Sequence, residues 1–150
     1  MSEDEAAAFL AGERTVICAT NGRDGWPHLM PLWYVVRPAQ GAGPQLWAWT
    51  YAASQKVKNL QRDSRATLQV ETGDSYDQLR GVMLKADVAV HRETPVVAAL
   101  GEEIFTRHAG GELAPEVREM VRAQAPKRVA LQFIERERAT WDHRKLGGAY

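Results

Sequence analysis

The sequence predicts a mainly β domain: a small antiparallel barrel or half-open barrel with flanking helices. Three observations predict it. About six stretches carry strand-like runs of β-branched and apolar residues. One helix follows the third strand and a helical pair precedes the last, an order that does not build βαβ units and favours antiparallel pairing. Two successive turn dipeptides, Asn21-Gly22 and Asp24-Gly25, stand between the first two strands, as a hairpin requires.

The elements follow in order. Ser2 with Glu5 three residues on forms a capping box, so "SEDEAAAFLAG" is a short helix stopped by Gly12. "RTVICAT" (14–20) is the first strand and "WPHLMPLWYVV" (26–36) returns from the hairpin. Pro31 inside that strand argues for an edge or a bulge. "RPAQGAGPQ" is a loop, and "LWAWT" (46–50) is the third strand. The period then becomes helical: "SQKVKNLQRDS" places Ser54 at the N-cap and turns Val57, Leu60 and Gln61 to one side. "RATLQVET" (65–72) is a strand. "GVMLKADVAVHRE" (81–93) alternates Val82, Leu84, Ala86, Val88 and Val90 on one face. Thr94-Pro95 opens a helix carrying Val97, Leu100, Ile104 and Phe105, which Gly110-Gly111 ends. "APEVREMVRAQA" is a further short helix, and "KRVALQFIERERATWD" (127–142) is the last strand.

At 150 residues and 45% hydrophobic, the chain is one domain, 1–150, able to bury its own core. Lys+Arg 19 balances Asp+Glu 19, without the basic excess of a nucleic-acid binder. "MSEDEAAAFL" is acidic with a short apolar run, neither a secretory signal nor a membrane span. A single cysteine, Cys18, excludes an internal disulfide and fits a reducing cytoplasm.

The stretch with most chemistry is "WTYAASQKVKNLQRDSRATL" (49–68). Ser54 caps a helix whose first turn has free N–H groups and the positive end of the dipole. Lys56 lies in that turn, and Thr50 ends the preceding strand. A hydroxyl, amides and an ammonium converging at a helix start suit a phosphate. Lys58 projects to a different side. The plain alternative is a capped surface helix with solvated lysines, and spacing alone leaves both open.

Taken together, "PHLMPLWYV", "WTYAASQKVKNLQRDSRATL", "GVMLKADVAV" and "WDHRKLGGAY" resemble the pyridoxamine-phosphate-oxidase-like, FMN-binding split-barrel superfamily. More narrowly they are similar to its actinobacterial branch that uses the deazaflavin coenzyme F420. The resemblance implies a six-stranded antiparallel split barrel, working as a homodimer with two cofactor sites along the interface. It places backbone groups near Met30, Pro31 and Leu32 beside the polar edge of the tricyclic ring. Trp49 and Thr50 then flank the cofactor's side chain. Ser54, Gln55 and Lys56 hold its phosphate, and Asn59 supports that turn.

Two departures bear on the cofactor. The FMN-dependent oxidases of the superfamily carry Arg in the early strand and Arg or Lys beside the phosphate lysine, where this chain has His28 and Gln55. Fewer cations suit the singly charged phosphodiester of F420 better than the monoester of FMN. The implied function is an F420-dependent reductase passing a hydride to an unsaturated small molecule. The alternatives are an FMN enzyme, or a carrier of F420 or haem without turnover. No catalytic residue is assigned, because the deazaflavin brings the reactivity.

Other features read as structure. Cys18 has no visible basic partner, so a buried strand cysteine is expected rather than a nucleophile. His28, His91, His108 and His143 are scattered without an i,i+4 pair, and no metal site is expected. Asp142 and His143, adjacent in a strand, point to opposite faces. Trp33, Trp47 and Trp49 suit a pocket, a core or an interface alike. For the ending "TWDHRKLGGAY", Trp141 and Tyr150 serve as anchors around Gly147-Gly148. The tail is expected either to fold over the cleft or the partner subunit, or to pack outside for stability alone.

Overall fold

The computed structural model describes residues 1–39 and 42–147. Its elements are α1 (Glu3–Gly12), β1 (Thr15–Asn21), β2 (Pro27–Ala39), β3 (Ala42–Tyr51), α2 (Gln55–Arg62), β4 (Arg65–Thr72), β5 (Arg80–His91), α3 (Thr94–Ala109), α4 (Pro115–Gln124) and β6 (Arg128–Asp142). The strands close an antiparallel barrel in the order β1-β2-β3-β6-β5-β4. None of the described helices is long and apolar enough to cross a membrane.

Local signals account for most boundaries. The α1 capping box forms, Ser2 Oγ accepting from Glu5 N–H at 3.2 Å and Glu5 Oε2 from Ser2 N–H at 2.7 Å. Pro95 lies in the first turn of α3, and Gly110 closes it at φ 75°, a left-handed turn that glycine adopts without strain. Alternation runs through β5, where Val82, Leu84, Ala86 and Val88 are buried and Val90 is partly buried against the same core.

Two expectations need correction. The loop expected over 37–45 is largely strand, with Arg37 opposite Gln45 and Ala39 opposite Ala42. Pro38 falls at a register shift, and Gly43-Pro44 precede Leu46, where pairing with β6 begins. Neither proline is asked for a ladder N–H on both sides, so the hairpin tolerates them. On α2, Gln61 is exposed; the buried face is Lys56, Val57, Asn59 and Leu60, so half of it is polar.

Inward residues of all six strands, with Ala6, Phe9 and Leu10 of α1, make the barrel core. A second core lies outside the barrel, where Val35, Trp49 and Ala130 meet Val97, Leu100, Ile104 and Val121 of α3 and α4. The two-residue period of β3 divides them: Ala48 and Thr50 look in, Trp47 and Trp49 look out.

Arg107 of α3 ties the layers together. Its guanidinium donates to the carbonyls of Tyr34, Leu10, Ala11 and Glu13, so one cation satisfies the open end of α1 and a strand. Tyr34 is fully buried, donates its hydroxyl to Leu10 O at 2.7 Å, and has its pKa pushed up to about 12 by burial. Arg107→Met keeps the packing of the stem and removes these charge-assisted bonds. We expect it to cost about 2 kcal/mol in urea denaturation; an unchanged midpoint would show that water replaces the guanidinium without loss.

Candidate functional site

The site arises because β2 changes partners. From Pro27 to Trp33 it pairs with β1, and from Tyr34 to Ala39 with β3. The first half therefore has a neighbour on one side only, and Pro31 sits within it, opposite Ile17. The expected edge position of Pro31 is thus met, since a proline there forfeits no bond to β3. Between this half of β2 and the end of β3 the barrel wall opens, and the start of α2 stands at the opening.

Interior rungs at this end carry polar side chains. Thr50 and Lys56 are buried, and Lys56 Nζ donates to Thr50 Oγ1 at 3.2 Å. Asn59 is fully buried, donates to Thr20 Oγ1 at 3.1 Å and accepts from Gln55 Nε2 at 2.9 Å. These bonds lock α2 to both β1 and β3. Burial lowers the pKa of Lys56, and Cys18 beside it is pushed up to about 12 by the same cause, so the thiol offers no counter-charge.

Ser54 occupies the N-cap of α2 in extended conformation, yet its hydroxyl caps no helix N–H. Its Oγ is buried without a hydrogen-bond partner. The first-turn amides of α2 have no intrahelical acceptor by geometry. An anion fits these residues: it would accept from the orphaned hydroxyl, from the amides and from the two remaining donors of the ammonium.

The structure thus brings together Thr50, Ser54, Gln55, Lys56 and Asn59. Met30 points to the same face of β2 as the rungs of Cys18 and Thr20, and is 44% exposed. Leu32 packs against the barrel core, while Pro31 faces outward. Trp49 is placed elsewhere: its ring is buried in the outer core, near Gly101 and Val121. Only its backbone is near Thr50. Thr20 was missed from the sequence; it lies 39 positions before Asn59 and nothing local links them. Lys58 is exposed, Arg62 donates to Asn21 O, and Arg65 pairs with Asp63 at 2.8 Å. Concavities of about 580 and 520 Å³ lie elsewhere, one between α1 and the β2–β3 hairpin, the other outside β1, β4 and β5.

Of the remaining features, Cys18 is fully buried in the barrel core, and no cluster of metal-ligating side chains occurs among the described residues. Trp33 stacks on His108 at 3.7 Å between ring centres, and Trp47 on His91 at 5.1 Å. Buried Asp142 bonds Arg144 at 2.7 Å, which with Arg80 holds its carboxyl well below the usual range. His143 turns away to Tyr76 O, at 2.8 Å.

The tail is at the other end of the barrel. β6 begins opposite Tyr51 and finishes opposite Arg80, so its 15 residues separate the cradle from Asp142. Beyond it, Lys145 pairs with Glu5 of α1 at 2.7 Å, and His143–Leu146 packs against the turn at Tyr76–Gln78. Through Gly147 the tail therefore does not cover the cradle of its own chain. Gly148, Ala149 and Tyr150 lie outside the described residues.

Comparison with known proteins agrees with this architecture. The family profile described as pyridoxamine 5'-phosphate oxidase matches residues 2–144. No curated protein matches the chain. Among solved structures, a conserved hypothetical protein, Rv2991 of Mycobacterium tuberculosis, is 39% identical, with a TM-score of 0.85, covering 100% of this chain and 90% of its own. An F420 reductase shares the fold at 18% identity and a TM-score of 0.66, covering 88% and 94%. A FAD-binding protein of Mesorhizobium loti shares it at 15% identity and 0.68, covering 93% and 94%. At these identities the two likenesses show a shared fold. With nearly its whole length matched, the chain belongs to the pyridoxamine 5'-phosphate oxidase family.

Proposed function

We propose that the protein is an F420-dependent reductase that passes a hydride from the reduced deazaflavin to an unsaturated organic substrate. One observation carries it: a buried lysine ammonium with a single hydroxyl partner, beside an orphaned serine hydroxyl, at the mouth of a family split barrel. The coenzyme supplies hydride chemistry when bound. Lys56, Ser54 and the α2 amides would hold its phosphodiester, and Thr50 and Asn59 would fix the lysine and the helix in place. The one-sided half of β2, at Met30, Pro31 and Leu32, offers free backbone groups to a ring edge. With Lys56 the sole buried cation of the cradle, a monoanion is better matched than the dianion of FMN.

A homodimer belongs to this reading. Trp26, Leu29 and Trp33 are between 45% and 76% exposed on one short stretch, an apolar surface that a second copy would cover. It would also cover the gap in the wall beside β2 and exclude water from the ring.

Titrating the purified protein with F420, FMN and haem, followed by absorbance and fluorescence, tests the reading. We expect F420 to bind at least tenfold tighter than FMN, and the reduced coenzyme to be oxidised by an added unsaturated acceptor. Preference for FMN would reverse the cofactor assignment. Tight F420 or haem binding without turnover by any acceptor would make the protein a carrier.

A further inference from the structure

The two-residue period of β3 that divides the cores also divides the opening into two sides. Thr50 faces inward to Lys56, and the proposed coenzyme site uses that side. Trp49 and Tyr51 face outward. There Trp33 meets Phe105 and Phe105 meets Trp49 edge-on, at 5.6 and 6.0 Å between ring centres. At the end of this row stands Arg128, the first residue of β6. Its guanidinium packs on two rings, with Cζ 4.4 Å from the centre of Trp49 and 4.0 Å from a ring centre of Tyr51. Backbone bonds tie this corner to the start of α2: Ala52 N–H donates to Lys127 O at 2.9 Å, and Ser54 N–H to Tyr51 O at 3.1 Å.

The charge of Arg128 stands apart in this chain. Half-buried Arg37, Arg80 and Arg138 each face a carboxylate, of Glu103, Asp142 and Glu135. Arg128, also half-buried, donates from Nε and Nη2 to a neutral acceptor, Gln124 Oε1, at 3.0 and 2.8 Å. No carboxylate pairs with it among the described residues, and its Nη1 meets no acceptor there. Two rings and an amide thus fix the guanidinium without neutralising it. Its plane is set and its rotamer entropy already lost, while the Nη1–Nη2 edge stays free. Tyr51 beside it is 52% exposed and offers a ring to a flat ligand.

We infer that Arg128 selects the substrate: the compound reduced at this site carries a carboxylate on a planar unsaturated body. The free edge of Arg128 bonds the two carboxylate oxygens, and the body lies along Tyr51. A planar fork matches that pair of oxygens, whereas an ester offers neither the charge nor the second acceptor of equal strength. This assignment rests on the reductase reading and names its substrate class. An arginine that only stapled the outer core would leave ligand affinity indifferent to the carboxylate.

The test is direct binding of naphthylacrylate and of its methyl ester to the purified protein, followed by tryptophan fluorescence with and without saturating F420. We expect the acid to bind at least tenfold tighter than the ester, and Arg128→Met to bring the two to about parity. Arg128→Lys keeps the charge without the fork and should fall between; it decides alone if the methionine variant does not fold. F420 affinity should be the same in all three proteins. Equal binding of acid and ester by the unaltered protein, or binding of neither, would overturn the inference, as would an unchanged ratio in Arg128→Met. If Arg128→Met weakens F420 but not F420 stripped of its glutamates, the free edge belongs to the coenzyme's tail and the substrate assignment fails. The ratio is read without turnover and also without coenzyme. A preference for FMN would therefore end the F420 reading and leave the carboxylate result standing.

Discussion

Replacing Lys56 with Met should give a protein that is more stable without ligand and barely able to hold a phosphorylated ring. Lys56 is 4% exposed, its ammonium has one hydroxyl partner, and the thiol of Cys18 that interacts with it is kept neutral by burial. A charge buried on these terms costs stability, and an unbranched apolar replacement of similar length removes the cost. We expect a gain of about 1 to 2 kcal/mol, reduced somewhat because Thr50 loses its partner. The pH dependence has a definite sign. Burial lowers the pKa of Lys56, so the folded state resists a proton that the unfolded chain takes up. Above the ordinary lysine value of about 10.4 both states are neutral and the wild-type penalty vanishes. As pH falls through that value the penalty grows, and it is complete below the folded pKa. The stability gap between variant and wild type should therefore be wide at neutral pH and narrow towards the free-lysine value of about 10.4 and above. Binding should move oppositely: losing a charge-assisted contact of about 1.5 to 3 kcal/mol weakens F420 roughly 10- to 150-fold. Thermal melts across pH and a fluorescence titration read both effects. A variant that melts earlier and binds F420 as tightly as wild type would show the lysine to be a structural prop.

Gly81→Ala should be the most damaging small substitution in the barrel. Gly81 lies opposite Trp141 in the β5–β6 pairing, and the indole covers its backbone. A Cβ there would fall inside the ring, 2.5 Å from Cε2 and 2.6 Å from Cη2, so the indole must leave. Trp141 adjoins Asp142, whose pairing with Arg144 and Arg80 fixes the end of β6. Overpacking of this kind costs about 3 kcal/mol, or roughly 6 to 12 °C in melting temperature for a domain of this size. In a Trp141→Ala background the same change should cost under about 1 kcal/mol, since the clash is gone. Additive losses in the double variant would place the damage in the backbone of β5 instead. F420 affinity should change little in the folded fraction, because this end of the barrel is remote from Lys56.

Strand and helix identities were legible wherever neighbours in sequence set them. The Ser2–Glu5 box, Pro95, Gly110 and the alternation of β5 are contacts or conformations within a few residues, and the sequence determined them alone. The spacing of Thr50, Ser54 and Lys56 likewise announced a helix start with a cation. What the spacing could not announce was direction. Trp49 and Thr50 are adjacent, yet one ring joins the outer core and the other hydroxyl meets a buried ammonium, because the register of β3 against β2 and β6 assigns each to a face. The loop expected after Val36 became strand for the same reason: pairing with a partner outweighs the turn preferences of Pro38, Gly43 and Pro44. Likewise, only the tertiary fold carries Thr20 to Asn59 and the tail to the opposite end. Local propensities act over one or two turns of chain. The face a side chain takes, and the water it loses, depend on strands paired across dozens of residues, and those pairings exist only in the folded barrel.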